Sequence, residues 1–475
     1  RYHHPEDSDF ALQHWQLPKQ MWPTQDLVVS SPEAAEDTSP TEPREDAEAA
    51  RNREQSAKLV EQGQELLRTA RFNEAANKFK EAIGLDAKNA AAYFGRAKCS
   101  RPWATRDEGQ HRTVMRYLDK AIQIAPTNAE YRAERGLYLQ ERAKLKGDDD
   151  LRKRAIEDLT AAIQLRNDQY WWWFQRAWLQ AEIGLLEEAD TDYREVIGLL
   201  TAKKNKSSNE QKHLAWAYLN NCANLIRHGD ISSAIEMGDG AVAVAPGMPK
   251  AHWNRARAYM AHYDFRTALE SVEKAIQTAG GNYADAYLVR ASIHEFLGDL
   301  VKAYQDTQLA LQLGSGPSAA KTMASYSTAL GRYEEALYLL DSVDNAMPND
   351  AQTAYSQARA RSALGDFDGA LKSLEMSIAR DPKVPYAYAR RAMLLRYLQR
   401  DEEAAEDDQR VLALFRECLD KNSKDIGILQ QRGWMMWDRG RFDEAYDDWA
   451  HVIKLDERNI YSLGAYATLL SAHPD

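Results

Sequence analysis

Aromatic side chains and amides recur together in the middle of the chain. Trp171, Phe174 and Trp178 lie within one short stretch, Trp216 and Trp253 follow, and Gln175, Asn220 and Asn254 accompany the three groups in turn. A side-chain amide carries both a donor and an acceptor, so it can bind a peptide backbone twice, while an aromatic face anchors side chains. The combination is suited to holding an extended peptide. Arg227 and Arg257 lie close in sequence and either favour a carboxylate-bearing ligand or are solvated surface charges. A second group of similar character comprises Tyr386, Arg390, Met393, Arg396 and Tyr397, with Trp434 and Trp437. Large aromatics on a solvated face need a reason, which is either a ligand or a cover supplied by the chain itself.

Residues suited to catalysis are not arranged for it. The 11 histidines are scattered, and no GxSxG, HExxH or P-loop pattern occurs. Asp148, Asp149 and Asp150 read as an exposed loop and not as a metal site. Cys99, Cys222 and Cys418 form no CxxC pair, so they read as core residues. No enzyme activity, metal or cofactor is expected. A formal net charge of -11 works against a sequence-independent grip on nucleic acid, which needs clustered cations to displace phosphate counterions. No apolar stretch approaches the roughly 18 residues that span a bilayer, so direct membrane insertion is not expected. The chain opens on Arg1, which leaves open a removed leader such as a signal peptide or a longer parent chain.

The elements that carry these residues follow from a repeat. Small residues fall at Gly63, Ala97, Gly136, Ala177, Cys222, Ala256, Ala291, Ala324, Ala358, Ala392, Gly433 and Ala467, with a base spacing of 34. A second series, usually twelve residues later, runs Ala75, Val114, Ala155, Ala189, Ala234, Ala268, Ala303, Ala336, Ala370, Ala404 and Ala445. Such positions let two helices approach closely. Pro126, Pro246, Pro348 and Pro382 then stop the second helix of their repeats.

Segments such as YLVRASIHEFLGDLVKAYQDTQLALQLG from Tyr287, GWMMWDRGRFDEAYDDWAHVIKLD from Gly433 and RFNEAANKFKEAIGLD from Arg71 resemble the tetratricopeptide repeat. The resemblance implies an all-α, right-handed α-solenoid of about eleven helix-turn-helix repeats plus a C-terminal capping helix. Repeats are expected near 56–89, 90–128, 129–168, 170–212, 213–248, 249–282, 283–316, 317–349, 350–383, 384–424 and 425–458, with a final helix at 460–471. That is about 23 helices within a superhelix spanning 55–471. Residues 1–54 are acidic and Pro-rich and are expected to form a disordered lead. Within it, Phe10, Trp15, Leu17, Met21 and Trp22 form a short apolar cluster. Insertions near SRPWATRDEG, KLKGDDD, AKKNKSSNEQK and FRECLDKNSKD should appear as longer helices or loops. Tyr461, Tyr466 and Leu470 make the final helix less polar than an ideal cap.

The resemblance also assigns faces. It puts Trp173 on the packing side and Trp171, Phe174, Trp178, Trp216 and Trp253 in the concave groove. The chaperone-binding carboxylate clamp of some relatives finds its nearest match in Lys321 with Ser325, lacks the Asn, and is not expected. Arg precedes the first marker in seven repeats, and wherever Asp stands three residues after the second marker that Arg is present. Ion pairs are therefore expected within repeats: Arg135 with Asp158, Arg176 with Asp192, Arg290 with Asp306, Arg391 with Asp407 and Arg432 with Asp448. The function implied is a scaffold or adaptor that binds a peptide or protein. The alternatives are the substrate-recruiting region of a larger enzyme such as a glycosyltransferase, and a structural assembly subunit able to self-associate.

Overall fold

The spacing of small residues becomes pairs of antiparallel helices in a computed structural model, which describes residues 44–104, 107–457 and 459–472. The apolar cluster of Phe10 to Trp22 lies outside these residues. Twenty-three helices and no strand occur among the described residues. They are α1 (Arg44–Arg68), α2 (Phe72–Leu85), α3 (Ala90–Ala104), α4 (Glu108–Ile124), α5 (Ala129–Lys146), α6 (Asp149–Leu165), α7 (Tyr170–Glu182) and α8 (Leu186–Ala202). There follow α9 (Ser208–His228), α10 (Ile231–Val244), α11 (Pro249–Ala261), α12 (Phe265–Thr278), α13 (Ala284–Phe296), α14 (Leu300–Gln312), α15 (Pro317–Ala329) and α16 (Tyr333–Ala346). The last are α17 (Ala351–Ala363), α18 (Phe367–Arg380), α19 (Pro385–Tyr397), α20 (Asp401–Lys421), α21 (Ile426–Asp438), α22 (Phe442–Leu455) and α23 (Ile460–Ala472). The chain divides into two compact units, Arg1–Lys204 and Asn205–Asp475. Each is an array of helix pairs stacked on their sequence neighbours.

Local chemistry sets the helix ends. Asp264, Asp299 and Asp366 each accept the backbone N–H three residues on, satisfying a donor that the first turn leaves unpaired. Ser207 and Glu210 form a reciprocal capping box at the start of α9. Pro126, Pro246, Pro348 and Pro382 stand just beyond the ends of α4, α10, α16 and α18, where the second helix of each pair stops. The first helix begins at Arg44, so residues 44–54, expected to belong to a disordered lead, are helical. Alternating acidic and basic residues on an Ala-rich background supply the helix propensity that the proline count upstream obscured. The insertions mainly lengthen helices: α5 has 18 residues, and α9 and α20 have 21 each.

The second series of markers is the contact between paired helices. Ala75, Ala155, Ala189, Ala234, Ala268, Ala303, Ala336, Ala370, Ala404 and Ala445 are all wholly buried. In the first repeat Phe79 fills the space left by glycines: a Cβ on Gly63 would lie 2.7 Å from its ring and one on Gly95 2.3 Å. At the other end Ala467, the last of these small residues, is exposed, as are Tyr461 and Leu463 beside it. Cys99 and Cys222 are buried, which pushes their thiols up to about 11 and about 12, and Cys418 is half-buried.

All five expected ion pairs form, each with two parallel hydrogen bonds from Nε and Nη2 of the arginine, at 2.6 to 2.9 Å. The aspartates are buried to within a few per cent and the arginines are half-buried along their stems. Two of these arginines also reach backward. Arg135 Nη1 donates to Asp119 (2.6 Å) and Arg176 Nη1 to Thr160 (2.9 Å), each on the second helix of the preceding repeat. Arg255, whose own repeat carries Ser271 in place of the Asp, pairs with Asp239 behind it at 2.6 Å and bonds Ser271 at 2.9 Å. In these three repeats the guanidinium therefore ties a helix pair together and fastens it to its neighbour. The backward partners share a 16-residue separation from the Arg that the sequence reading did not use.

Turns inside the pairs take one left-handed residue, usually glycine. Tyr263 occupies such a position with φ 60°, an uncommon conformation for a bulky residue. Its hydroxyl donates to Asp456 at 3.2 Å, 193 residues away and within the same unit. Beside it Phe265 stacks on Phe296, and Phe296 meets Tyr461 at the start of the final helix, with ring centres 6.0 Å apart. The end of the C-terminal unit thus rests on the turns of α11–α12 and α13–α14.

The N-terminal unit carries a pH-sensitive tie. Glu108 accepts from Lys146 Nζ at 3.0 Å and from Arg142 Nη2 at 2.5 Å, and these bonds hold its carboxyl down to about 2. The depressed value means that its contribution is complete above the ordinary glutamate range, about 4.3, and is lost as pH falls from there toward 2. Protonation removes the negative charge that Arg142 and Lys146 share at this carboxylate. Thermal melting followed between neutral and acid pH should therefore fall more steeply for the wild type than for Glu108→Gln; parallel profiles would refute this assignment.

Candidate functional site

The aromatic segment of α7 is divided differently from its expected phase. Trp172 is in the core, packed with Leu159, Ile163 and Leu179, and Arg166 lies 4.7 Å over its ring. Phe174, expected in the groove, is 7% exposed and meets the edge of Tyr193 at 5.8 Å. Trp171 stacks on Phe174, with planes 5° apart. Of the residues expected in the groove on α7, Trp171 and Trp178 keep part of their surface and could be reached by a ligand. Trp173 is half-buried; its indole N–H donates to the Asn167 carbonyl at 2.8 Å and Arg176 lies over its ring. The Gln175 amide oxygen accepts from Gln140 at 2.6 Å, so the polar row begins one repeat earlier than the sequence suggested.

In the C-terminal unit, Trp216 on α9 is half-buried with Lys250 4.9 Å over its ring, and Asn220 one turn on is also half-buried. Trp253 on α11 is half-buried, tilted against Tyr283, and donates its indole N–H to the Asp285 carbonyl at 3.2 Å. Asn254, expected to face a ligand, is 2% exposed. Its amide turns back to the Lys250 carbonyl at 3.4 Å, and its own carbonyl accepts from the Cys222 thiol. A buried amide must find partners inside, and here the helix itself provides one. Its Oδ1 also receives Arg257 Nη1 at 3.4 Å, so Asn254 positions that arginine.

Arg257 is the most unusual charge of this face. Its guanidinium lies 4.7 Å over Trp253, is half-buried, and pairs with no carboxylate among the described residues. Burial pulls its pKa below the ordinary arginine value, and the negative groups around it do not make up the difference. Arg227, the other basic residue singled out, is exposed at the end of α9.

The second surface lies on α19 and α21. Met393 and Trp434 are each 48% exposed and Tyr397 is 69% exposed; the final helix does not cover them. Tyr397 leans on Phe367, and Trp434 stands edge-on to the buried Trp449 at 5.1 Å. Tyr386 and Trp437 are half-buried, with Tyr386 against Tyr355 and Trp437 between Phe442 and Trp449. Arg390 is half-buried and Arg396 pairs with Asp408. Lys321, the nearest match to a carboxylate clamp, pairs with Asp350 at 3.0 Å. Among the described residues no group of three His, Cys, Asp or Glu side chains could hold a metal ion, and no helix is long and apolar enough to cross a membrane.

A tetratricopeptide repeat family model matches residues 60–101 and 355–417. The human DnaJ homolog subfamily C member 3 is 22% identical over 306 residues, which cover 62% of this chain and 55% of that protein; the match thus spans about half of the relative's length. Among solved structures, yeast Tom70 is 14% identical, covering 88% of this chain and 95% of its own at a TM-score of 0.45. MamA from Desulfovibrio magneticus RS-1 is 18% identical over 36% of this chain and 96% of its own, with a TM-score of 0.34. A tetratricopeptide repeat protein from Parabacteroides merdae ATCC 43184 is 17% identical over 52% and 93%, with a TM-score of 0.41. Stacked helix pairs, each with a buried small residue at its closest approach (Ala in ten, Val114 in the other), together with the family model matching residues 60–101 and 355–417, show tetratricopeptide repeats in the matched residues and the same helix-pair fold in the rest of the array.

Proposed function

We propose that the protein is a non-catalytic interaction scaffold that holds a carboxylate-bearing peptide or protein segment on the aromatic face of α9 and α11. The observation that carries this reading is Arg257. A desolvated guanidinium stacked on an indole, steadied by Asn254 and lacking a carboxylate, is arranged for one that arrives with a ligand. Trp216 and Asn220, on the neighbouring first helix, offer an apolar anchor and a backbone partner to the same segment. Trp171, Gln175 and Trp178 repeat that chemistry on the N-terminal unit, and Met393, Tyr397 and Trp434 offer a more apolar surface.

Peptide arrays probed with the purified protein, each peptide presented with a free and with an amidated C-terminus and with acidic or neutral side chains, test the reading. Carboxylate-bearing peptides should be retained by the wild type. Retention should fall about tenfold or more in Arg257→Met and in Trp216→Ala/Trp253→Ala, with circular dichroism unchanged. Retention of the same peptides at undiminished strength by Arg257→Met would overturn it.

A further inference from the structure

The second helices of repeats 2 and 3 leave between them a cavity of about 830 Å³ in the N-terminal unit, remote in sequence from Arg257. Its wall is cationic. Arg112, Arg116 and Lys120 recur at every fourth residue along one face of α4, and Arg154 on α6 lines the same space. Among the described residues of the lining the one carboxylate is Asp119, which already accepts from Arg135 at 2.6 Å. Arg112, Arg116 and Arg154 make no ion pair among the described residues, and Lys120 donates to the Gln123 amide. The floor is aromatic: Tyr93 and Tyr117 are half-buried with ring centres 6.4 Å apart. Arg96 and Arg116 lie 5.4 and 5.3 Å over the Tyr117 ring.

The field in the cavity is visible in the groups that titrate there. Burial would raise the Tyr117 hydroxyl, yet hydrogen bonding and charge from Arg96 and Arg116 leave it below the ordinary tyrosine value. His111 is held below its ordinary value by burial and by the charges of Arg142, Lys146 and Arg154, although Glu108 acts in the other sense. Concentrating unpaired cations of one sign costs self-repulsion, and in a chain of net charge -11 nothing in the general composition calls for it. A concave wall also holds field lines better than an open helix face does. The volume exceeds what a single small oxyanion fills and suits several residues of extended chain lying over the tyrosines.

We infer that this cavity is a second ligand site, which binds an acidic peptide segment through Arg112, Arg116, Lys120 and Arg154 with Tyr93 and Tyr117 beneath it. Forked guanidinium contacts would take its carboxylates, and the tyrosine faces would take the stems between them. The site is independent of Arg257, so the two readings can fail separately.

The test uses the full chain and fluorescence anisotropy with a fluorescein-labelled oligoglutamate, its glutamine counterpart and its lysine counterpart, with inorganic pyrophosphate as competitor. The oligoglutamate should bind, more weakly as salt rises, and the other two should not. Arg112→Glu/Arg116→Glu/Arg154→Glu alters exposed side chains and should weaken binding by about tenfold or more at unchanged circular dichroism. Arg257→Met should leave it unaltered. Three results would overturn the inference: no binding of oligoglutamate by the wild type, undiminished binding by the triple variant, or displacement by pyrophosphate at concentrations no higher than those of the peptide, which would make this a small-anion site. Should the triple variant lose helicity, Arg112→Gln/Arg154→Gln gives the same discrimination with a smaller loss.

Discussion

Asp192→Ala is expected to cost about 3–5 kcal/mol, because it strands the Arg176 guanidinium in a setting where, among the described residues, the Thr160 hydroxyl and the Trp173 face remain to receive it but no carboxylate does. Both side chains are well covered, at 13% and 4% exposure, so solvent screens the pair little. The cost is a penalty for isolation and not the worth of the pair. Burial raises the Asp192 carboxyl above its ordinary value despite two hydrogen bonds from Arg176, so the ionised form is held at a disadvantage. The sign follows: the native state keeps the proton longer than the unfolded one does. Whatever stability protonation of Asp192 confers is complete below the unfolded value and lost as pH rises through the folded one. Arg176→Met/Asp192→Leu, which removes both charges while filling the space, should then be far milder than Asp192→Ala. Urea unfolding together with amide exchange in α7 and α8 would read both variants, since a repeat array can open locally. Equal losses for the single and double variants would show that the pair contributes through packing and not through charge.

Trp449→Ala should be comparably severe, about 3–5 kcal/mol, through the cavity it leaves. The side chain is wholly buried among Val411, Leu414, Phe415, Met435 and Met436. Its indole N–H has no hydrogen-bond partner among the described residues, so Trp449→Phe gives up volume without losing a hydrogen bond and should cost much less. Gly433 supplies a sharper check. A Cβ there would lie 2.5 Å from the indole nitrogen, so Gly433→Ala should destabilise the wild type and be relieved when combined with Trp449→Phe. Additive losses in the thermal melting of the double variant would show that the two residues do not compete for the same space.

Much of this architecture was legible because one physical problem recurs every 34 residues. Each helix pair needs a small residue where its axes meet, and Ala75 through Ala445 meet that need at zero exposure. The Arg–Asp pairs were readable for the same reason: both partners move in step with the repeat. The site was less so. Trp172 and Phe174 sit near the start of α7, where core and solvent faces were assigned from a repeat average, and a phase error of one residue exchanges a groove side chain for a core one. Asn254 occupies the position of Asn220 in its own repeat, yet only Asn254 is buried; the difference depends on what packs beside it and not on the helix that carries it. The basic cavity escaped notice because its cations are spread over two repeats and look, in sequence, like ordinary solvated charge. The helical stretch from Arg44 was masked by the prolines preceding it.

The meeting of Tyr263 with Asp456 and of Phe296 with Tyr461 alters how the C-terminal unit bears load. A linear stack frays from its free end, and a pull there peels one helix pair after another. Here the turn after α22 is moored through Asp456 to Tyr263, 193 residues earlier, and α23 through Tyr461 to Phe296, so tension applied at the C-terminal helix is shared with α11 to α14 before α17 to α20 begin to yield. The repeats between are links in a closed circuit. Single-molecule pulling from the C-terminus should record one mooring-release event ahead of the stepwise peeling, and Tyr263→Phe/Tyr461→Ala should erase that event while leaving the later steps in place.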